Sequence, residues 1–270
     1  MKRLAIYCVN YASYGELVSF LSSVQEAAQK AKEVLAVDVF VADNTDKDAE
    51  PIHVEKGVCA IRIFLFHENL GYMGAVQRMM ALTDISIYDY VAISNVDLIL
   101  DKDSLLAMAD LDLGNNVGWI APRLFSAQLG YDRNPSVLLR YSKRHLQLLR
   151  LMFSYPWICV MYKKTFYKRK KFHRTYREGL RFYAGHGSFM ILTREYFNRC
   201  GIPAYPVFLF GEELYLAEKC KSNGLSVVYC PSISLWDKEH VSIGGLRKPA
   251  YYCYNVSALS YILETFYSSE

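Results

Sequence analysis

The sequence lacks several features that would mark a secreted or membrane-spanning protein. It has seven cysteines, an odd number, and no Cys-x-x-Cys pair, so we expect reduced thiols in a cytosolic protein. No stretch of 18 apolar residues occurs, because the best window, residues 146–162, is broken by Arg150 and Pro156. The basic start of the chain is followed within ten residues by polar side chains, so we expect no secretory signal.

Two kinds of binding motif are also missing. No His/Cys spacing resembles a zinc site. The first predicted strand is followed by Asn-Tyr-Ala-Ser-Tyr-Gly at residues 10–15 rather than G-x-G-x-x-G, which argues against a dinucleotide-binding oxidoreductase. The chain does have 270 residues, of which 52% are hydrophobic, and this is enough for a large globular core.

Charge is distributed unevenly along the chain. The formal net charge is +4, but residues 140–181 hold thirteen Lys or Arg and one acid, Glu178. The rest of the chain therefore holds 18 basic and 26 acidic residues. A mildly acidic body thus carries a basic, aromatic-rich segment.

Apolar periodicity predicts an alternating α/β chain. We expect strands at 4–9, 37–42, 60–66, 90–94, 117–122, 185–192 and 225–230, and helices at 16–34, 73–82, 105–109, 194–200 and 214–222. The helix at 105–109 can be capped by Asp103 or Ser104. The first half reads β-α-β-β-α-β with strands buried on both faces. An aromatic C-terminal helix at 251–267 could pack on the body or on a second subunit in a homodimer.

Polar residues collect where the predicted strands end. Asp43 follows the second strand, Asn69 and Gly71 follow the third, and Asn95 and Asp97 follow the fourth. Open α/β folds bind their ligands at the carboxyl edge of the sheet. Asn95 and Asp97, one residue apart, could therefore both reach a divalent metal or a sugar phosphate.

The order of these motifs resembles that of a known family. Residues 9–11, 43–44, 68–74 and 95–97 look like the nucleotide-sugar half of a family 2 glycosyltransferase of the GT-A fold, and residues 187–190 and 208–213 look like its acceptor half. The likeness covers residues 4–245. Glu-Asn-Leu-Gly combined with Asn-x-Asp is most similar to the rhamnosyl- and galactofuranosyl-transferase-like branch, which builds bacterial surface polysaccharides.

The resemblance implies a fold and a division of the chain. The fold would be α/β, a GT-A (Rossmann-like), mostly parallel central sheet flanked by helices, with a basic helical insertion and a helical C-terminus. A single domain would span 1–270. Residues 1–122 would bind the nucleotide sugar, 123–182 would be the basic insertion, and 183–270 would bind the acceptor.

The resemblance also implies a donor site. Asn10 would belong to the nucleotide site, and Asp43 would accept a hydrogen bond from the pyrimidine base. Asn69 and Gly71 would lie along the nucleotide. Asp97 would hold Mg²⁺ or Mn²⁺ on the diphosphate with Asn95 as a neutral helper. One acid and one amide carry less charge than two acids, so we expect weak, donor-dependent metal binding.

On the acceptor side, the resemblance assigns Glu213 as the general base and Glu212 as the acid before it. Sugar transfer needs both a neutralised diphosphate and a carboxylate that takes the proton of the acceptor hydroxyl. Direct attack by the acceptor would invert the anomeric centre.

The sequence departs from the family pattern at three places. Glu213 stands where the family's base is Asp, and the additional methylene means that its acceptor geometry must differ. Tyr215 stands where another Asp often follows. The family's late His is replaced, by spacing from Pro231 and Trp236, with Asp237, and His240 comes three residues later. Either Asp237 or His240 could contact the metal or the diphosphate.

Plainer readings remain open for each motif. Asp97, the Asp43–Asn44 pair and the Asn69–Gly71 run are also good turn residues. Glu212 and Glu213 also suit a helix start, and His186 could be an acceptor contact or a loop residue. The departures keep alive a non-catalytic subunit or scaffold with the same fold.

The basic segment allows three interpretations. It could be a solvated cationic face, and nucleic-acid binding is disfavoured because no recognition motif accompanies the charge. An anionic membrane surface fits best, since basic residues flank aromatic ones between Phe153 and Tyr167. A peripheral position on the inner face of the membrane would suit a lipid-linked saccharide acceptor.

Overall fold

The computed structural model describes residues 1–46, 57–158, 175–238 and 248–268. The strands in these ranges are β1 (Lys2–Asn10), β2 (Leu35–Asp43), β3 (Ala60–Leu65), β4 (Tyr90–Ser94), β5 (Leu98–Leu100), β6 (Val117–Ser126), β7 (Tyr131–Asp132), β8 (Arg181–Phe182), β9 (Phe189–Thr193) and β10 (Ser226–Asp237). The α-helices are α1 (Tyr14–Ala31), α2 (Tyr72–Ala81), α3 (Ser104–Ala109), α4 (Lys143–Ser154), α5 (Arg194–Cys200), α6 (Glu212–Ser222) and α7 (Lys248–Phe266).

One sheet contains all ten described strands, in the order β3-β2-β1-β4-β9-β6-β10-β5, with β7 paired to β6 and β8 to β10. Strands β1 to β4 are parallel, as β-α-β-β-α-β predicts. The other half of the sheet is mixed, because β9 runs antiparallel to β4 and β6, whereas β6 and β10 are parallel. Strand β5 is antiparallel to β10, so the chain bends between β4 and β5, and Asp97 lies in that bend.

Helices cover both faces of this sheet. Helices α1 and α3 pack with one hydrophobic cluster, and α2, α6 and α7 pack with the other. The predicted burial of all strands is wrong for β3, whose residues are exposed or half-buried because it forms the edge of the sheet. The C-terminal helix α7 packs on the body, and Ile262 within it and Tyr267 directly after it are fully buried.

Helix bounds differ slightly from the prediction, for local reasons. Helix α1 ends at Ala31, short of the predicted Val34, and Val34 is exposed. Asp103 is the N-terminal cap residue of α3, yet its side chain makes no capping bond. Its Oδ1 instead accepts a hydrogen bond from Lys30 Nζ at 2.6 Å. Among the described helices, none is both long and apolar enough to cross a bilayer.

Candidate active site

A buried hydrogen-bonded pair joins the ends of β1 and β2. Asp43 Oδ1 accepts from Asn10 Nδ2 at 3.2 Å and from the Thr45 amide at 3.0 Å, and Asp43 Oδ2 accepts from the Tyr14 hydroxyl at 3.1 Å. Asn10 Oδ1 in turn accepts from the Ser13 amide at 3.1 Å. These bonds fix the Asp43 carboxylate, so Asn10 supports the predicted nucleotide site through Asp43.

The Asn69–Gly71 run forms the turn before α2. Asn69 Oδ1 accepts from the Gly71 amide at 3.1 Å, which is the turn role that its sequence allows. Gly71 has φ 73°, and a β-carbon there would lie 2.2 Å from the Phe208 carbonyl oxygen. Only glycine fits so close an approach. The turn therefore packs the start of α2 against the loop that leads to α6.

Two buried carboxylates meet where β5 and β10 pair. Asp97 and Asp237 are 6% and 3% exposed, and Asp237 is paired with Leu98 across the two strands. The Lys238 amide also donates to the Asp97 carbonyl at 3.1 Å. Burial and the like charge of Asp237 raise the pKa of Asp97, while a hydrogen bond from the Asn95 side chain opposes the rise. We call Asp97, Asp237 and Asn95 the acidic corner.

An arginine that the sequence motifs did not indicate contacts the acidic corner. Arg133 Nη1 donates a hydrogen bond to Asp237 Oδ2, and its positive charge also lowers the pKa of Asp97. Arg133 follows the two-residue strand β7, and its amide donates to the Leu124 carbonyl at 2.8 Å. A strand of two residues leaves no periodic signal, so this position was not predictable from the pattern.

A chain of hydrogen bonds links the residue after Arg133 back to Asn95. Asn134 Oδ1 accepts from the His186 amide at 2.8 Å, and His186 Nδ1 accepts from the Ser188 amide at 3.2 Å. The Ser188 carbonyl accepts from the Asn95 amide at 2.8 Å. Burial and the charge of Arg133 lower the pKa of His186 to about 3, so the imidazole stays neutral and serves as an acceptor within this loop.

The other acidic pair, Glu212 and Glu213, opens helix α6. Both side chains are half-buried. Burial, and then the charge of Glu213, raise the pKa of Glu212 to about 8. Burial also raises the pKa of Glu213.

Glu212 lies beside Gly187. A β-carbon added at Gly187 would lie 2.9 Å from Glu212 Oε1, so glycine leaves the space that this carboxylate uses. The pKa of Tyr72 is raised by burial and then by the charges of Glu212 and Asp97, so both carboxylates act on this phenol. The Tyr72 hydroxyl donates to the Gly187 carbonyl at 3.3 Å.

Glu213 faces a different space. It lines a cavity of about 260 Å³ between α4, α7 and the start of α6. Aromatic and apolar side chains form most of the wall, with Asn255 and Ser136 as polar members; the ring-bearing residues are Tyr141, Phe153 and Phe210. The charge of Glu213 adds to burial in raising the pKa of Tyr141. The two successive glutamates therefore have different surroundings: Glu212 lies beside Gly187, and Glu213 lines the cavity.

The fold can now be compared with solved structures. GalNAc-T7, solved with UDP, GalNAc and Mn²⁺, aligns with a TM-score of 0.60 at 11% identity over 98% of this chain and 49% of its own. TarS from S. aureus, residues 1–349, aligns with a TM-score of 0.56 at 11% identity over 100% of this chain and 74% of its own. The fold is the GT-A fold of glycosyltransferases. Neither a family model nor a curated protein sequence matches the chain.

Within this GT-A fold, Tyr215 has a structural role. Its hydroxyl accepts from the Ala204 amide at 3.0 Å, and its ring lies 5.1 Å from that of Tyr205. Tyr215 is 4% exposed, so it belongs to the aromatic core beneath α6 rather than to the site.

Two predicted features fall partly or wholly outside the described ranges. His240 lies outside them, as do residues 159–174 of the basic segment. Within the described part of that segment, α4 and the turn after it present exposed apolar side chains, with Leu148, Tyr155 and Trp157 at 53%, 50% and 63%. The assignment of this surface to a membrane stays a prediction.

Proposed function

We propose that this GT-A chain transfers a sugar from a nucleoside-diphosphate sugar, dTDP-rhamnose or a UDP-sugar, to a saccharide acceptor in bacterial capsule or O-antigen synthesis. One observation carries the proposal. Asp97 of the acidic corner and Glu212 at the start of α6 both act electrostatically on the buried phenol of Tyr72, and Glu213, next to Glu212, lines a cavity. Sugar transfer needs a cation site for the diphosphate and a carboxylate base next to each other.

The acidic corner fits a divalent cation. In the described ranges, no three His, Cys, Asp or Glu side chains group together as a complete metal site, so the donor's diphosphate would supply the remaining ligands. Asp97 and Asp237 would hold Mg²⁺ or Mn²⁺, because they are hard oxygen ligands whose mutual repulsion a cation relieves. A bound cation would neutralise charge on the departing diphosphate. The GalNAc-T7 structure holds UDP and Mn²⁺.

The nucleotide would extend from the acidic corner along the strand ends. Asp43, held by Asn10 and Tyr14, would receive the base, and Asn69 and Gly71 would flank the nucleotide. Asn95 would orient Asp97 through its side-chain hydrogen bond.

Glu213 would act as general base for an acceptor in the adjoining cavity. Its raised pKa makes the ionised carboxylate a stronger base, and base catalysis of this kind contributes about 10²–10⁴-fold. The acceptor oxygen would attack the anomeric carbon directly and invert it. A lipid-linked saccharide is the acceptor class that suits the basic residues 140–181 and the exposed apolar side chains around α4.

The test separates donor binding from transfer. We expect UDP or dTDP, with Mn²⁺, to raise the melting temperature of the wild type, since a ligand that binds the folded state stabilises it. Glu213→Gln should keep that shift and lose about 10²-fold or more in transfer rate. Glu264→Gln, an exposed site on α7, is the matched control and should keep both. Normal turnover by Glu213→Gln would refute the base assignment, and a wild type that responds to no nucleotide would favour a scaffold.

A further inference from the structure

Arg133 reaches the acidic corner from a rigid anchor. Asp132 Oδ1 accepts from the amides of Leu124 and Asn134, each at 2.9 Å, and the Arg133 amide bonds to the Leu124 carbonyl at 2.8 Å. Two of these bonds join Asp132 and the Arg133 backbone to Leu124 of strand β6, and the third closes the turn from Asp132 to Asn134. The main chain therefore keeps the Arg133 guanidinium within reach of Asp237, and the side chain itself can turn to another partner.

The two partners differ in their access to solvent. The Arg133 side chain is 25% exposed, whereas that of Asp237 is 3% exposed. An incoming anion can therefore contact the guanidinium while Asp237 stays behind it. Guanidinium groups bind phosphate oxygens as well as carboxylates, often through two parallel hydrogen bonds.

We propose that Arg133 binds the donor's diphosphate and, in doing so, releases Asp237 to the cation. The inference rests on the proposed function, and it assigns a diphosphate contact that no family motif supplied. While Arg133 holds Asp237, it competes with a cation for the same carboxylate. Once a diphosphate engages the guanidinium, that competition ends, so nucleotide and cation bind cooperatively. Such coupling is reciprocal between the two ligands.

The first experiment measures nucleotide affinity without metal. UDP and dTDP are titrated by calorimetry into wild type and Arg133→Gln in EDTA. A hydrogen bond to a charged group is lost, so we expect affinity to fall at least about tenfold. UMP and dTMP, which lack the second phosphate, should lose less.

Arg199→Gln is the matched control. Arg199 also pairs with a carboxylate, its Nε lying 2.9 Å from Glu195 Oε2. Arg199 lies on α5, which directly follows β9. Strands β4 and β9 are antiparallel, with Ser94 paired to Phe189 and Tyr90 to Thr193, so α5 starts at the end of this strand pair that is remote from Asn95. The control should bind UDP and dTDP like the wild type.

The second experiment measures Mn²⁺ binding directly, by electron paramagnetic resonance of the free ion. Without nucleotide, Arg133→Gln should bind Mn²⁺ more tightly than the wild type, because the guanidinium no longer competes with Mn²⁺ for Asp237. In the wild type, UDP or dTDP should raise Mn²⁺ affinity by about 5–150-fold, and the variant should show a smaller factor. Wild-type values for both nucleotide and Mn²⁺ in Arg133→Gln would overturn the inference.

A second pair of variants guards against a folding defect. Arg133→Gln removes the guanidinium that pairs with the buried Asp237, which can destabilise the fold. Asp237→Asn and the double variant Arg133→Gln/Asp237→Asn both lack the Asp237 charge. In EDTA, the double variant should bind UDP or dTDP at least about tenfold more weakly than Asp237→Asn, and equal affinity would overturn the inference. A wild type that binds neither nucleotide under any condition would instead refute the proposed function.

Discussion

Two arginines from residues 123–182 each hold a buried carboxylate, and by exposure the pairs are alike. Arg140 and Glu218 side chains are 19% and 2% exposed, and those of Arg133 and Asp237 are 25% and 3% exposed. A buried ion pair is by itself weak evidence for stability, because desolvation opposes the attraction. Their neighbours must therefore show which pair serves the fold and which the site.

Glu218 is surrounded by donors. Arg140 donates to both carboxylate oxygens, at 2.6 and 3.1 Å, and the hydroxyls of Tyr183 and Tyr267 lie 2.6 and 3.0 Å from Oε1. The Arg140 guanidinium also lies 3.8 Å from the ring centroid of Tyr267. This closed network joins α6, α7 and the chain before α4, which is what a structural ion pair requires.

Asp237 instead lies beside another acid. Its charge raises the pKa of Asp97, and Arg133 acts on both carboxylates. A cation would relieve the repulsion between these two acids. The contrast teaches that surroundings, rather than burial, distinguish the pair that holds the fold from the pair at the site.

The largest effect should come from breaking the structural pair. Glu218→Gln removes the buried carboxylate that Arg140, Tyr183 and Tyr267 hold, and we expect the free energy of unfolding to fall by about 3–5 kcal/mol. Denaturant unfolding measures this change. Glu195→Gln, which breaks the surface pair with Arg199, should cost less than about 1 kcal/mol. Equal losses in the two variants would show that Glu218 is no more structural than a surface acid.

The acidic corner should give the opposite result. Asp97→Asn removes a charge that burial and Asp237 disfavour, so unfolding stability should not fall. Nucleotide-dependent Mn²⁺ affinity should fall at least about tenfold, since even residues that only support ligands cost that much. Calorimetric titration of Mn²⁺ with UDP or dTDP present tests the second part. An Asp97→Asn variant that is unstable yet binds Mn²⁺ normally would mean that the acidic corner stabilises the fold and does not bind the cation.

The next prediction concerns how the free energy of unfolding depends on pH through Glu212, at the start of α6. The folded pKa of Glu212, about 8, lies above its ordinary value, so the folded state retains a proton that the unfolded chain releases. This stabilisation is complete below the ordinary pKa and declines as pH rises towards 8, by at most about 1.4 kcal/mol per pH unit. Glu212→Gln should flatten that decline.

Denaturant midpoints at pH 5.5, 7 and 8.5, without ligand, measure the decline. Glu264→Gln is again the control, and it should keep the wild-type slope. A Glu212→Gln slope equal to that of the wild type would mean that Glu212 titrates like an exposed acid.

The sequence predicted what local pattern encodes. Strand β4 begins and ends where its apolar run does, and α5 spans the predicted residues. Strands β5, β7 and β8, of two or three residues, are too short to show a period. Motifs indicated Asp97 and Glu213, whereas Arg133 acts through a partner 104 residues away, and such a contact leaves no local trace.

Glu218 shows the same limit for the fold. Its partner Arg140 is 78 residues distant, and along α6 the sequence reads as an ordinary acid beside Lys219. Asn95–Asp97 was recognisable as a strand end. Its neighbours Asp237, at the end of β10, and Arg133, directly after β7, come from distant parts of the sequence. The strand-end position of Asn95 and Asp97 could thus be expected from sequence, and the approach of Asp237 and Arg133 to them could not.

The smallest effect should come from one hydroxyl of the structural network. The Tyr267 hydroxyl lies 3.0 Å from Glu218 Oε1 and 2.9 Å from the Tyr141 carbonyl, and Tyr267→Phe removes it while keeping the ring over Arg140. Arg140 and Tyr183 still satisfy Glu218, so we expect a loss of only about 1 kcal/mol by denaturant unfolding. Tyr261→Phe on α7 is the control and should be near neutral. A loss as large as that of Glu218→Gln would mean that the network depends on the C-terminal tyrosine more than on its ion pair.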